Sequence, residues 1–369
     1  MNDQKIEGLP YDLMSENPDE VTSGVQQIVQ RNGPIPQIGS VNKNEWHIAI
    51  LRSGEGENCR ALWLNYESGP SGGHGDYDGM DLGLFADGLD LMPSLGYPPV
   101  QFGGWDSPRV QWYKSTAAHN TVVVDDKNQF EAPGHTSVFY DAKTVQAVIA
   151  RGPKMYDIRD FSRTAVMLSV GSTSFYVVDV FHVLGGHSHT KFFHSGIGSI
   201  TTDGLNLSRM QDFGSEMQTR NFRWDDQAKT SWSAQWKLRD YYGVLPAGKS
   251  VTLRYTDLTD NAKVGVGEGW ICPAGFGKNE ELWIPYLAIR REGSNQLEST
   301  FVSVIEAYDA DRAVKSIKRI GDSVEVETTD GKDLITWGKT SAAQTDGRLT
   351  ILRWDGDGKL TSFKPQNSE

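Results

Sequence analysis

A long succession of short apolar runs, β-branched or aromatic and each cut off by Gly, Asp or Asn, constrains this chain more than any other feature. It begins with "WHIAILR" (46–52), "RALWLNY" (60–66), "NTVVVD" (120–125), "TVQAVIA" (144–150) and "RTAVMLSV" (163–170). It continues through "SFYVVDVFHV" (174–183), "SVTLRYTDL" (250–258), "YLAIRRE" (286–292), "TFVSVIEAY" (300–308), "SVEVETT" (323–329), "LITW" (334–337) and "LTILRW" (349–354). Turn signals such as "DDKN", "TDG" and "DGDG" fall between the runs. Strands in this number with few helical stretches between them predict an all-β fold, a large antiparallel β-sandwich of stacked sheets. No internal repeat of roughly 20–50 residues is present, which argues against a propeller or a solenoid.

One helix signal precedes the strands, in "NPDEVTSGVQQIVQRNGP". Asn17 suits the N-cap, Pro18 the first helical position, and Asp19 and Glu20 the positive end of the dipole. Val21, Val25, Ile28 and Val29 then form one apolar face, and Gly33-Pro34 stops the helix. A lone helix with one apolar stripe needs a partner surface, and no second helix of its kind follows.

Composition narrows the function classes. Acidic residues outnumber basic ones by 48 to 36, and the net charge of −12 argues against nucleic acid or any polyanion held by overall charge. An anionic substrate would need a local basic cluster inside a cleft. Cys59 and Cys272 leave open either two unpaired thiols or a single disulfide, and their number and spacing suggest neither zinc nor redox chemistry. "MNDQKIEGLPYDLM" carries no apolar run that would serve as a secretory signal, and no apolar segment is long enough to cross a membrane.

The chemistry-bearing residues concentrate in "GGHGDYDGMDLGLFADGLDLMPSLGYP" (72–98) and "STAAHNTVVVD" (115–125). Gly72, Gly73 and Gly75 surround His74, so the backbone there makes a tight turn or lets a ligand come close. Leu82, Leu84 and Ala86 alternate onto one face, and "ADG" reads as a hairpin turn into "LDLM". His119 stands at the mouth of an apolar strand. Three readings are open: an acid/base site, a metal site drawing on Asp76, Asp78 and Asp90, or two ordinary turns in a β-protein.

Together these two stretches resemble the motif pair of the heparinase II/III-like polysaccharide lyases, a group that includes heparin, alginate and ulvan lyases. "SFYVVDVFHVLGGHSHTKFFHS" and "STFVSVIEAY" resemble later strands of the same family, so the likeness covers roughly residues 17 to 310. The resemblance implies an α/α toroid followed by an antiparallel β-sandwich, with the active site between them. Residues 1–38 would then be a linker and the last toroid helix, 39–360 the sandwich domain and 361–369 a frayed tail. The likeness takes in only the sandwich and the last toroid helix, so the expectation is a truncated chain whose toroid lies outside it. Family members are periplasmic or secreted.

The resemblance also implies cleavage of acidic, uronic-acid-containing polysaccharide by β-elimination, with no nucleic-acid or membrane partner. His74 matches the family's catalytic histidine, whereas the toroid tyrosine that shares its work has no counterpart among Tyr77, Tyr97 and Tyr113. A family zinc ion would fall on Asp76, Ser94 and His119. Serine is a poor zinc ligand, so no tightly held zinc is expected, and a direct hydrogen bond from His119 to Asp76 would replace the metal bridge.

Trp105, Arg109, Trp112 and Tyr113, in the loop joining the two motifs, are candidate substrate contacts: the rings for stacking on sugars, Arg109 or Lys114 for carboxylate or sulfate. Packing of this segment on the sandwich is the competing reading. His182, His187, His189 and His194 look like a metal cluster, but strand alternation would split them between faces. A non-catalytic carbohydrate-binding or scaffold sandwich is the alternative function.

Overall fold

The computed structural model describes residues 18–32, 38–69, 75–214, 217–273, 279–338 and 349–365. The chain divides into two compact units, Met1–Val41 and Asn42–Glu369. In the first, a helix runs Pro18–Asn32, as its capping signals predict. Val25 and Val29 of its apolar stripe stand exposed, at 40% and 39%.

The second unit is all-β, with antiparallel sheets packed in layers. Its centre is an eight-stranded sheet that includes Val145–Arg151, Asp160–Val170, Ser174–Leu184 and Glu298–Tyr308. Side chains alternate along each strand, so Phe161, Ala165 and Met167 enter one core while Val166, Leu168 and Val170 enter another. Burial of both faces explains why "TAVMLSV" and "FYVVDVFHV" read as nearly unbroken apolar runs.

One core is closed by a five-stranded sheet containing Ile48–Ser53, Arg60–Asn65 and Leu82–Ala86. A six-stranded sheet containing Val122–Val124, Ser188–His194, Lys263–Ile271 and Leu282–Glu292 joins it on that side. The other core is closed by a C-terminal sheet of five strands, Val314–Ile320 through Leu360–Phe363. The sandwich therefore carries a third layer beyond the two a simple sandwich needs. Leu360–Phe363 pairs with Ile351–Trp354, so the expected frayed tail from 361 is corrected: the last strand continues to Phe363.

The "ADG" hairpin forms as read, with Ala86 opposite Leu89. Asp87 and Gly88 both have positive φ, 55° and 86°, as a type I′ turn requires. Cys59 is exposed and Cys272 buried, and no disulfide joins them.

The six-stranded sheet has its own outer face. Val123, Phe192 and Tyr286 point outward there and meet Trp112, Tyr113, Ala117 and Ala118 in a third apolar cluster. Those four residues lie on a helix, Pro108–Lys114, and the 3₁₀ turn Thr116–Ala118 that follows it. Ser107 caps the helix, accepting from the Val110 N–H at 3.4 Å, with Pro108 at its first position. This helix corrects the expectation of a plain connecting segment, and it carries the second motif into place.

Candidate active site

The two motifs come together around the segment Asp76–Asp81. The backbone N–H of Tyr77 donates to the Lys114 carbonyl at 2.9 Å, tying the segment to the end of the short helix. The Gln129 side-chain amide clasps the Gly79 peptide from both sides, accepting from its N–H and donating to its carbonyl, each at 2.8 Å. A Cβ on Gly79 would stand 2.7 Å from the Gln129 oxygen and 2.5 Å from Met155 Sδ, so only glycine admits this clasp. Thr121 adds a third bond to the Gly79 carbonyl at 2.8 Å.

Asp81 turns the same segment towards the second motif. Its Oδ1 accepts the Asn120 backbone N–H at 2.8 Å, and Asn120 Oδ1 accepts the N–H of His194 at 2.7 Å. Below them lies a fully buried guanidinium. Arg163 forks onto Asp179 with two bonds of 2.8 Å and turns its remaining nitrogen to the carbonyls of Met80 and Asn120, one in each motif. Lys191 completes the neutralisation of Asp179 at 2.7 Å. A single cation thus fixes both loops to the central sheet.

His119 is 1% exposed. Its Nδ1 donates to the Ser115 carbonyl at 2.9 Å, which aims Nε2 at Asp76 Oδ2, 4.0 Å away. That separation is too long for the expected direct hydrogen bond, and the contact is a charge pair instead. His119 Nε2 and Asp76 Oδ1 are both buried and have no hydrogen-bond partner among the described residues. Burial pushes the Asp78 carboxyl up to about 7 and raises those of Asp76 and Asp81. Burial favours neutral His119, but the carboxylates of Asp81, Asp78 and Asp76 outweigh it and raise its pKa.

Of the three positions that the resemblance gives a zinc ion, Asp76 and His119 face each other at 4.0 Å. Ser94 is exposed, and the described residues hold no group of three His, Cys, Asp or Glu side chains that could take a metal. Asp76 and His119 supply two donors where tetrahedral sites use three or four protein ligands. Among the described residues the donor set does not fit zinc.

His74 lies outside the described residues. Of the proposed sugar contacts, Trp112 and Tyr113 are corrected to core residues, 1% and 2% exposed. Trp112 Nε1 donates to the Trp270 carbonyl at 2.9 Å, and Tyr113 Oη accepts the Cys272 N–H at 2.6 Å, so their polar ends are used inside the protein. Arg109 is held by Glu281 at 2.5 Å and lies over the rings of Phe102 and Trp270. Trp105 is 40% exposed, edge-on to the exposed Tyr97 at 5.9 Å.

The four later histidines do not form a metal cluster. His182 bridges Asp160 and Glu298 at 2.7 and 3.2 Å, and His187 pairs with Asp125 at 3.5 Å. His189 takes the Ser299 hydroxyl on Nδ1 at 2.7 Å, while His194 stacks on Tyr286. Sequence reasoning missed Arg163, Asp179 and Gln129, whose partners are far along the chain. A charged residue inside an otherwise apolar run, as Asp179 is in "SFYVVDVFHV", was the available signal.

The family model "Heparinase II/III-like, C-terminal" matches residues 39–266. An exo-oligoalginate lyase of Saccharophagus degradans is 30% identical over 158 residues, 39% of this chain and 21% of the relative. Among solved structures, a heparinase III superposes with a TM-score of 0.60 at 15% identity, covering 95% of this chain and 47% of its own. The heparan sulfate lyase HepC from Pedobacter heparinus gives 0.54 at 16% identity, covering 96% and 47%. These two likenesses speak for the fold, and the chain spans about half the length of those structures and about a fifth of the alginate lyase. With the match over 39–266 taking in most of its length, this chain belongs to the heparinase II/III-like C-terminal family.

Proposed function

We propose that this chain is the β-sandwich portion of a lyase that cleaves uronic-acid-containing polysaccharide, of alginate, ulvan or heparin type, by β-elimination. The observation that carries the reading is the rigid mounting of Asp76–Asp81, clasped by Gln129, tied to Lys114 and anchored by Arg163. This mounted segment begins two residues after His74 in the sequence. Positioned groups are what an acid/base step requires.

In such a reaction a base takes the C5 proton of the uronate. The C–H electron pair becomes the C4–C5 double bond, the C4–O bond breaks, and the departing oxygen takes a proton. His74 is the group from this half that moves a proton. His119, shut away from solvent, is a positioning residue that holds Asp76 and the start of the loop. Trp105, 40% exposed, is the proposed substrate contact, whereas Arg109 meets a substrate anion only by sharing or leaving Glu281. An α/α toroid is the partner that would close the cleft, and the periplasm or the cell exterior is where such a polymer is met. No step is routed through a metal.

The test is incubation with alginate, ulvan, heparin and glucuronan while following the absorbance of the unsaturated product near ~230 nm, the chromophore that proton abstraction and elimination create. A rise with at least one polymer is expected. Binding to these polymers without any rise would replace the lyase by the carbohydrate-binding sandwich.

A further inference from the structure

A cavity of about 970 Å³ opens on the outer face of the six-stranded sheet, beside the Ser115–Ala117 segment that also holds His119. Its size is that of a ligand site. Its electrostatics are unusual for a protein whose relatives are named for acidic polymers. Cations and carboxylates in the lining balance one for one: Lys127, Arg209, Lys263 and Arg290 against Asp126, Asp212, Asp226 and Glu292.

Most of them are already bound to each other. Arg209 forks onto Asp226 at 2.6 and 2.7 Å and lies over the Trp224 ring. Arg290 forks onto Asp126 at 2.5 and 2.9 Å and reaches Glu292 at 2.9 Å, which also takes Lys263 at 2.7 Å. Pairs this exposed are individually weak, but an anionic sugar entering here would meet cations already balanced by Asp126, Asp226 and Glu292 and would stand close to those carboxylates, so it gains little from the cations and is repelled by their partners. An uncharged polyol faces no such repulsion. Its hydroxyls donate to the free lone pairs of the paired carboxylates and accept the unused N–H groups of the paired cations, both charge-assisted. Phe213, packed against Phe192, Phe222 and Trp224, adds apolar surface to the lining.

We propose that this cavity is a saccharide site for an uncharged stretch of glycan, roughly two or three pyranose rings at this volume. It is distinct in chemistry from the uronate-cleaving site, and its failure would leave the role of His74 untouched.

The test is isothermal titration calorimetry with neutral trisaccharides (cellotriose, mannotriose, xylotriose) and with trigalacturonate as the acidic counterpart. Two variants block the site. Gly214 lines the cavity without positive φ, and a Cβ there meets nothing within 4 Å, so Gly214→Phe fills space without a backbone clash. Arg209→Gln removes a partly exposed fork and remains informative if the first variant folds poorly. At least one neutral trisaccharide should bind, with Kd raised about tenfold or more in each folded variant, and trigalacturonate should bind the cavity more weakly than the neutral sugar. The proposal is overturned if no neutral trisaccharide binds, if the variants bind as the parent does, or if trigalacturonate is the tighter ligand and the variants abolish its binding.

Discussion

Replacing Asp179 by Asn tests how the candidate site is anchored. Asp179, Arg163 and Lys191 are all 0% exposed, and one carboxylate balances both cations. Burial opposes the charge on Asp179, but Arg163 and Lys191 outweigh it and hold its carboxyl well below the usual carboxylate range. Its contribution is therefore present above the ordinary carboxylate pKa and is lost only as pH falls through the lower folded value. The Asn variant leaves two cations in the core without this counter-ion. Breaking a buried pair from one side costs about 3–5 kcal/mol, a large share of the total stability of most domains. Lys191→Met is milder, because Asp179 keeps its fork to Arg163. What goes is one charge-assisted bond to Asp179, worth about 1.5–3 kcal/mol, and a weaker one to Ser303. Urea unfolding followed by fluorescence and circular dichroism should place Asp179→Asn below Lys191→Met, with unchanged m-values. Equal losses in the two variants, or less than about 1.5 kcal/mol for Asp179→Asn, would refute the idea that one carboxylate carries both cations.

Burial lowers the pKa of His189 and His194 to about 4, so each resists protonation in the folded state. The stability they contribute is complete above the ordinary histidine pKa and declines as pH falls through about 4. Thermal unfolding across that window should show a slope that flattens in His189→Gln, where up to about 3 kcal/mol of linkage disappears; an unchanged slope would count against neutral burial. Trp112→Ala should cost about 3–5 kcal/mol in urea unfolding, and Trp105→Ala about 1 kcal/mol or less, because the first residue is 1% exposed and the second 40%. Equal costs would contradict the core placement of Trp112. Metal analysis after dialysis against zinc should find well under one equivalent retained, since Asp76 and His119 lack a third described ligand. Stoichiometric zinc would reverse that conclusion.

The legible parts of the fold were the runs whose neighbours in space were already apolar in sequence. Leu82, Leu84 and the "ADG" turn declared their hairpin, and Pro18 declared its helix. "KVGVGEGWI" did not read as a strand, because Gly265, Gly267 and Gly269 look like breakers. In the sheet they make room for aromatic rings: a Cβ on Gly267 would stand 2.2 Å from Phe222, and one on Gly269 2.4 Å from Tyr286. Trp112 and Tyr113 sat beside a charged residue in a segment read as a loop, and only the Ser107-Pro108 cap hinted at the helix that turns them inward. Of the site, His119 and Asp76 could be paired from sequence, though not their 4.0 Å spacing. The cation beneath them could not, since Met80 and Asn120 precede Arg163 by 83 and 43 positions.

The most direct measurement is the turnover of His74→Ala on whichever uronate polymer the parent protein cleaves, with the unfolding midpoint recorded beside it. Loss of a positioned proton-transfer group should lower kcat by about 10²–10⁴-fold while the midpoint stays unchanged. A variant that keeps the parent's rate would show that His74 moves no proton, and the lyase chemistry assigned to this half would fall with it.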